Sequence, residues 1–141
     1  RSINKERADE ALFARVERAI GGAEHPALTE TVSEIGRATD EVKSAIAFLQ
    51  NAPEDLRLLN ARRLTGYMAD VAEAALLVEE AVWELANKGS ARKAVVARRF
   101  VETHLRDRPM RGITSEDRTP LDHFDAIVGY RPIAPADAAS S

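Results

Sequence analysis

The stretch LTETVSEIGRATDEVKSAIAFL, residues 28–49, decides the fold. Within it Leu28, Val32, Ile35, Thr39, Val42, Ile46 and Leu49 follow alternating steps of four and three. That seven-residue repeat lays an apolar seam along a helix, the pattern of bundle packing. It predicts a helix from about Ala27 to Asn51. Thr31 and Glu34 stand at capping-box spacing, with Thr29 an equal candidate for the helix start. Gly36 sits inside the pattern at a cost of roughly 1 kcal/mol against alanine. Close approach of a neighbouring helix would be one reason for it.

A second seam lies downstream. Leu64, Met68, Val71, Ala75, Val78, Val82 and Leu85 repeat with the same period, flanked by Tyr67, Ala74 and Ala81. Pro53 suits the first turn of this helix, where Glu54 and Asp55 complement the dipole. The helix is predicted to run to about Asn87 and to span ~50 Å. Ala72, Leu76 and Leu77 widen its apolar surface, so it should meet neighbours on more than one side. Leu76, Leu77 and Trp83 lie partly off the seam. They are the interface candidates, because exposed apolar patches mark association and two-fold dimers are its commonest form.

Two shorter helices flank these. Ala8, Leu12, Val16 and Ala19/Ile20 form a stripe over Ile3–Ile20, which Gly21-Gly22 ends. Ala94, Ala97, Val101 and Leu105 form another over Ala91–Leu105, beside Val95, Val96 and Phe100. Gly89 reads as the stop before this helix and Ser90 as its cap. Thr119-Pro120-Leu121-Asp122 reads as the start of a short extra helix, with Leu121, Phe124, Ile127 and Val128 able to dock it and Gly129 ending it. Residues 131–141 are mostly proline, alanine and serine, the composition of a flexible tail. Short connections favour antiparallel neighbours. The expected architecture is all-α: an up-down-up-down four-helix bundle, one domain over residues 1–130, with the short C-terminal helix and the tail.

Composition agrees. Alanine fills 25 of the 141 positions and aromatics only 5%, which favours helix over strand. The chain has no cysteine, which excludes disulfides, thiolate metal sites and cysteine nucleophiles. No apolar run approaches the ~20 residues of a membrane span. The net charge of −3 and the lack of interleaved stacking aromatics argue against nucleic acid. The first residue is Arg1, so the chain reads as a fragment or processed product. A cytoplasmic location is expected.

Chemistry-bearing residues are sparse. His25, His104 and His123 have no histidine partner three or four residues away, and Glu-x-x-His is absent, so no metal ligand set is assigned. His104 is better placed to answer a helix C-terminal dipole. Glu79, Glu80 and Glu84 are the one carboxylate cluster, read first as a solvated face. No phosphate-cradling glycine motif occurs. Charge is uneven: residues 92–111 hold seven basic and two acidic side chains, whereas residues 1–91 hold eleven and sixteen. The basic block is Arg92, Lys93, Arg98, Arg99, Arg106, Arg108 and Arg111. Arg92, Lys93, Arg98 and Arg99 are candidates for a phosphate-bearing ligand. The alternative is ion pairing with the acidic helices or with a partner chain.

The segments AEAALLVEEAVWEL (72–85) and ARKAVVARRFVETHL (91–105) resemble the last helices of certain acyl-CoA dehydrogenases. RGITSEDRTPLDHFDAIV (111–128) resembles the C-terminal tail of that group. The similarity covers residues 53–130; residues 3–50 are compatible with it as helices. The resemblance implies a parent flavoprotein in which a glutamate removes the α-proton of an acyl-CoA and FAD accepts the β-hydride. Members have a helical N-terminal part, a β middle domain and a C-terminal helical bundle. This chain lacks the β region, the glutamine and double-glycine segment that helps hold FAD, and the glutamate-glycine motif of the base. Asp125 and Glu116 have the wrong neighbours for that base. No family catalytic residue is therefore carried over, and no cofactor is expected in this chain alone. The resulting expectation is a C-terminal module that contributes packing and self-association, with the remaining domains of the parent as further partners. A free-standing dimerisation module and a phosphate-ligand-binding bundle are the alternatives.

Overall fold

Four α-helices and one 3-10 turn make up residues 3–106, which a computed structural model describes, with side chains from Arg7 onward. They are α1 (Ile3–Gly21), the 3-10 turn Pro26–Leu28, α2 (Thr29–Gln50), α3 (Glu54–Lys88) and α4 (Arg92–His104). Among the described residues there is no strand. The all-α expectation holds, with boundaries within about two residues of those read from the seams. The expected helix at 119–128 and the tail at 131–141 lie outside the described residues.

Of the two expected starts of α2, Thr29 is the one found, and the Thr31–Glu34 capping box is not used. His25 Nδ1 accepts a hydrogen bond from the Ala27 N–H at 3.0 Å and opens the 3-10 turn, with Pro26 in its first position. The chain passes from that turn into α2 through Leu28 without a side-chain cap. Thr31 is thus already in the first turn of α2 and caps nothing. Its side chain is buried, and its hydroxyl has no hydrogen-bond partner among the described residues.

The end of α3 does follow the sequence. Gly89 takes φ +62°, the left-handed conformation that glycine adopts without a steric penalty. After it, α4 is capped from two places. The Ser90 hydroxyl accepts from the Arg92 N–H at 3.3 Å, and Glu84 Oε1, reaching across from α3, accepts from the Lys93 N–H at 2.8 Å.

α2 and α3 form a central pair that each pack against every other helix, while α1 and α4 make little contact with each other. Residues in contact run in opposite order along α1 and α2. Ile20 lies near Gly36, whereas Glu17 reaches Lys43, so these two helices are antiparallel. The same holds for α3 and α4, where Glu80 meets Lys93 and Tyr67 meets Leu105.

On α3 the deepest row is Tyr67, Val71, Ala74, Val78 and Ala81. It has the expected period of seven and shares Val71 and Val78 with the expected seam, but takes Tyr67, Ala74 and Ala81 from the flanking row in place of Met68 and Val82. Leu64, Met68, Val82 and Leu85 are only partly buried and pack against the core from its edge. A helix with neighbours on three sides has several rows with equal claim to the centre. Alanine takes the centre here because small side chains let helix axes come close. Nine of the nineteen buried residues in the core cluster are alanine.

Gly36 is not forced by such an approach. A methyl group built there would meet nothing nearer than Ile20 Cδ1, at 3.9 Å, which is ordinary contact.

Candidate functional site

Three carboxylates of α3 make ion pairs to the neighbouring helices α1 and α4. Arg15 of α1 forms a two-bond pair with Glu79, of which the Nη2–Oε1 bond is 2.7 Å. The hydrogen-bonded Arg15 holds the Glu79 carboxyl below its ordinary range, against a smaller opposing desolvation and with the charges of Arg15 and Arg18 adding to the effect. Glu80 takes Lys93 Nζ at 3.0 Å. Glu84 lies 3.8 Å from Arg92 Nη2 and caps α4. The cluster, read as a solvated face, does keep Glu80 exposed, and its carboxylates also tie α3 to α1 on one side and to α4 on the other. The Glu79 carboxyl, held below its ordinary range by Arg15, stays ionised, which is the wrong state for a general acid.

The basic candidates do not converge. Lys93 faces α3, and Arg92 lies beside Glu84. Arg98 and Arg99 are exposed and make no ion pair with a described residue. At 100° per residue, Lys93 and Arg98 point about 140° apart around α4. The N-terminus of α4, where an anion would gain most from backbone N–H groups, is occupied by the Glu84 carboxylate. Arg106 reaches Glu30 at 2.9 Å, Glu102 at 3.3 Å and Glu34 at 3.8 Å. Arg108, Arg111, Glu116, His123 and Asp125 lie outside the described residues. His104 stacks on Phe100 with ring centroids 4.3 Å apart. Among the described residues no group of three or more metal-ligating side chains comes together.

One polar cluster had no signal in the sequence. The Leu105 carbonyl, at the end of α4, accepts from Arg37 Nη2 at 2.9 Å and from the buried Tyr67 hydroxyl at 3.4 Å. Arg37 also pairs with Glu34 at 3.1 Å and with Glu41. These groups stand 38 and 68 residues from Leu105, so no local pattern announces them. They pin α4 to α2 and α3.

A groove of about 460 Å³ lies among α1, α2 and α3, lined by Ile46, Leu49, Leu64 and Met68 with the exposed Gln50 and Arg57. The other conspicuous surface is the outward face of α3. Leu76 is 45% and Trp83 58% exposed, one heptad apart on the side away from α2. Leu58, 68% exposed, falls on the same side. Leu77 separates from them. It is partly buried and packs against the core.

Residues 8–123 match the family described as acyl-CoA dehydrogenase 11 C-terminal domain-like. The chain belongs to that family. Comparison with curated proteins and with solved structures gives no match. In this C-terminal domain-like chain the matched span takes in nearly all of α1 and the whole of α2 to α4. It therefore extends the resemblance, which rested on residues 53–130, back through the first two helices.

The family's flavin can be tested against the residues present. A dinucleotide pyrophosphate needs converging donors or a free helix N-terminus. Here Lys93 and Arg98 diverge, Arg92 and Arg99 share a face but stand two turns apart, and the N-terminus of α4 is capped by Glu84. The described residues do not fit FAD. No described helix is long and apolar enough to cross a membrane.

Proposed function

We propose that this chain is the C-terminal helical module of a longer, cytoplasmic acyl-CoA dehydrogenase-like flavoprotein, where it serves packing and subunit association. In this reading the FAD-dependent α,β-oxidation of an acyl-CoA belongs to other domains of the parent. The observation that carries the reading is the outward face of α3. Leu76 and Trp83 stand exposed there, while Glu79 and Glu80 beside them already have partners on α1 and α4. A tryptophan left in water on a well-packed scaffold is the anchor type that interfaces favour. The family membership supplies the parent.

Sedimentation of the chain at micromolar concentration tests the association. The wild type should sediment as more than one chain, and Leu76→Glu should give a folded single chain. A wild-type mass of one chain throughout that range overturns it. An absorption spectrum tests the division of labour, because a flavin band in the purified chain contradicts a purely associative module.

A further inference from the structure

The outward face of α3 carries a heptad of its own. Leu58, Arg62, Thr65, Ala69, Ala72, Leu76, Glu79 and Trp83 follow steps of four and three along the 35-residue helix. At 100° per residue they form one stripe, away from the row of Tyr67 to Ala81 that faces the core. All but Ala72 and Glu79 are exposed, and those two are half-buried. The stripe runs ~37 Å from Leu58 to Trp83.

This stripe is symmetric about the point midway between Asp70 and Val71. Ala69 and Ala72 are equally far from that point, as are Thr65 and Leu76, Arg62 and Glu79, and Leu58 and Trp83. An antiparallel copy of the helix laid on it by a two-fold axis would bring each of these pairs together twice, which is the requirement for a closed isologous contact. The chemistry suits that register. The large side chains Leu58 and Trp83 would meet at the two ends. The alanines would meet at the centre, where they let the axes approach. Arg62 is exposed and makes no ion pair with a described residue. It would come to the carboxylates of Glu79 and Glu80, which remain 35% and 54% exposed beside their partners within the chain. A parallel register would instead set Arg62 on Arg62 and Glu79 on Glu79, and like charges in register reject a pairing.

We propose that the partner of this face is a second copy of the chain, bound antiparallel through α3 about a two-fold axis between Asp70 and Val71. This rests on the associative reading above and adds its partner and register.

The chain has no cysteine, so introduced thiols report on the register alone. Thr65→Cys and Leu76→Cys are made separately in the full chain, mixed in equal amounts and oxidised. The two positions lie 11 residues, ~16 Å, apart along the helix. The expected product is the mixed disulfide, with little of either homodisulfide. Arg62→Glu provides a second measurement free of cysteine and should raise the dimer Kd about tenfold at low salt. If the wild type is a dimer but gives homodisulfides or no cross-link, or if Arg62→Glu leaves Kd unchanged, this register is overturned and the associative reading stands. If the wild type is a single chain at micromolar concentration, both fall together.

Discussion

Val71→Asp is the sharpest test of how α3 sits in the bundle. Val71 is 2% exposed and belongs both to the seam expected from sequence and to the deepest row found. The reference variant is Val71→Ala, which removes two carbons and leaves a small void, at a cost of about 2 kcal/mol. Aspartate loses the same contacts and adds a carboxyl with no counter-charge provided for it. Burying it, ionised or neutralised, costs roughly 2–5 kcal/mol more. The total approaches the ~5–15 kcal/mol by which whole domains are stable. The two costs separate by pH. A buried aspartate with no cation has a folded pKa above its unfolded value of ~3.9. The folded state then binds the extra proton, so Val71→Asp is least harmful below that value and loses stability as pH rises through the folded pKa. Urea unfolding followed by circular dichroism, on both variants at neutral pH and near pH 4, gives the difference directly. Because both variants carry every native carboxylate, those titrations cancel. The proposed burial of Val71 is wrong if the two variants unfold within about 1 kcal/mol of each other at neutral pH, or if their difference does not grow with pH.

Other substitutions probe separate parts of the molecule. Gly36→Ala and Gly66→Ala each add a methyl where no atom of a neighbour comes closer than ordinary contact, so each should raise stability by about 0.5–1 kcal/mol in thermal unfolding. Glu84→Ala removes the acceptor of the Lys93 N–H and should cost about 1 kcal/mol, with the loss of amide protection confined to the first turn of α4. Glu79→Gln tests the tie to α1. The folded pKa of Glu79 is depressed, so the advantage of wild type over this variant should be present above the ordinary carboxylate range and fade as pH falls through it. Paired urea titrations across that range check the sign.

Legibility followed the width of each apolar face. The stripe on α4 is narrow, and Ala94, Ala97, Val101 and Leu105 are all buried as the sequence indicates. On α3 the apolar arc exceeds half the circumference, and several heptads compete within it. The sequence could count the turns of that helix but not choose the row facing the centre. Leu76 and Trp83 were readable as lying off the seam, whereas Leu77, one residue on, packs against the core. At the start of α2 the sequence offered Thr29 and Thr31 equally; His25 caps a turn before the helix, the helix begins at Thr29, and the Thr31 signal is left without a use. The ties Arg15–Glu79 and Arg37–Leu105 depend on which helices become neighbours. That in turn depended on α2 and α3 becoming the pair that every other helix packs against. The basic residues of α4 were visible as a block in sequence, but a helix spreads consecutive residues around its axis and separates them.

The nine alanines of the core change which kind of sequence drift this scaffold can absorb. In an interior built on leucine, the common injury is a shortened side chain and the void it leaves. At Ala38, Ala74, Ala81 or Ala97 almost nothing remains to shorten, and nearly every replacement is larger. A helix is stiff, so an intruding side chain at one of these positions must displace a whole neighbour, and overpacking of this kind costs roughly 1–3 kcal/mol. The separation of the helix axes, rather than the interlocking of bulky groups, then carries the shape. So long as the small residues stay small, the outward residues of α3 can be rewritten one at a time, acquiring or losing a partner while the platform that presents them keeps its dimensions.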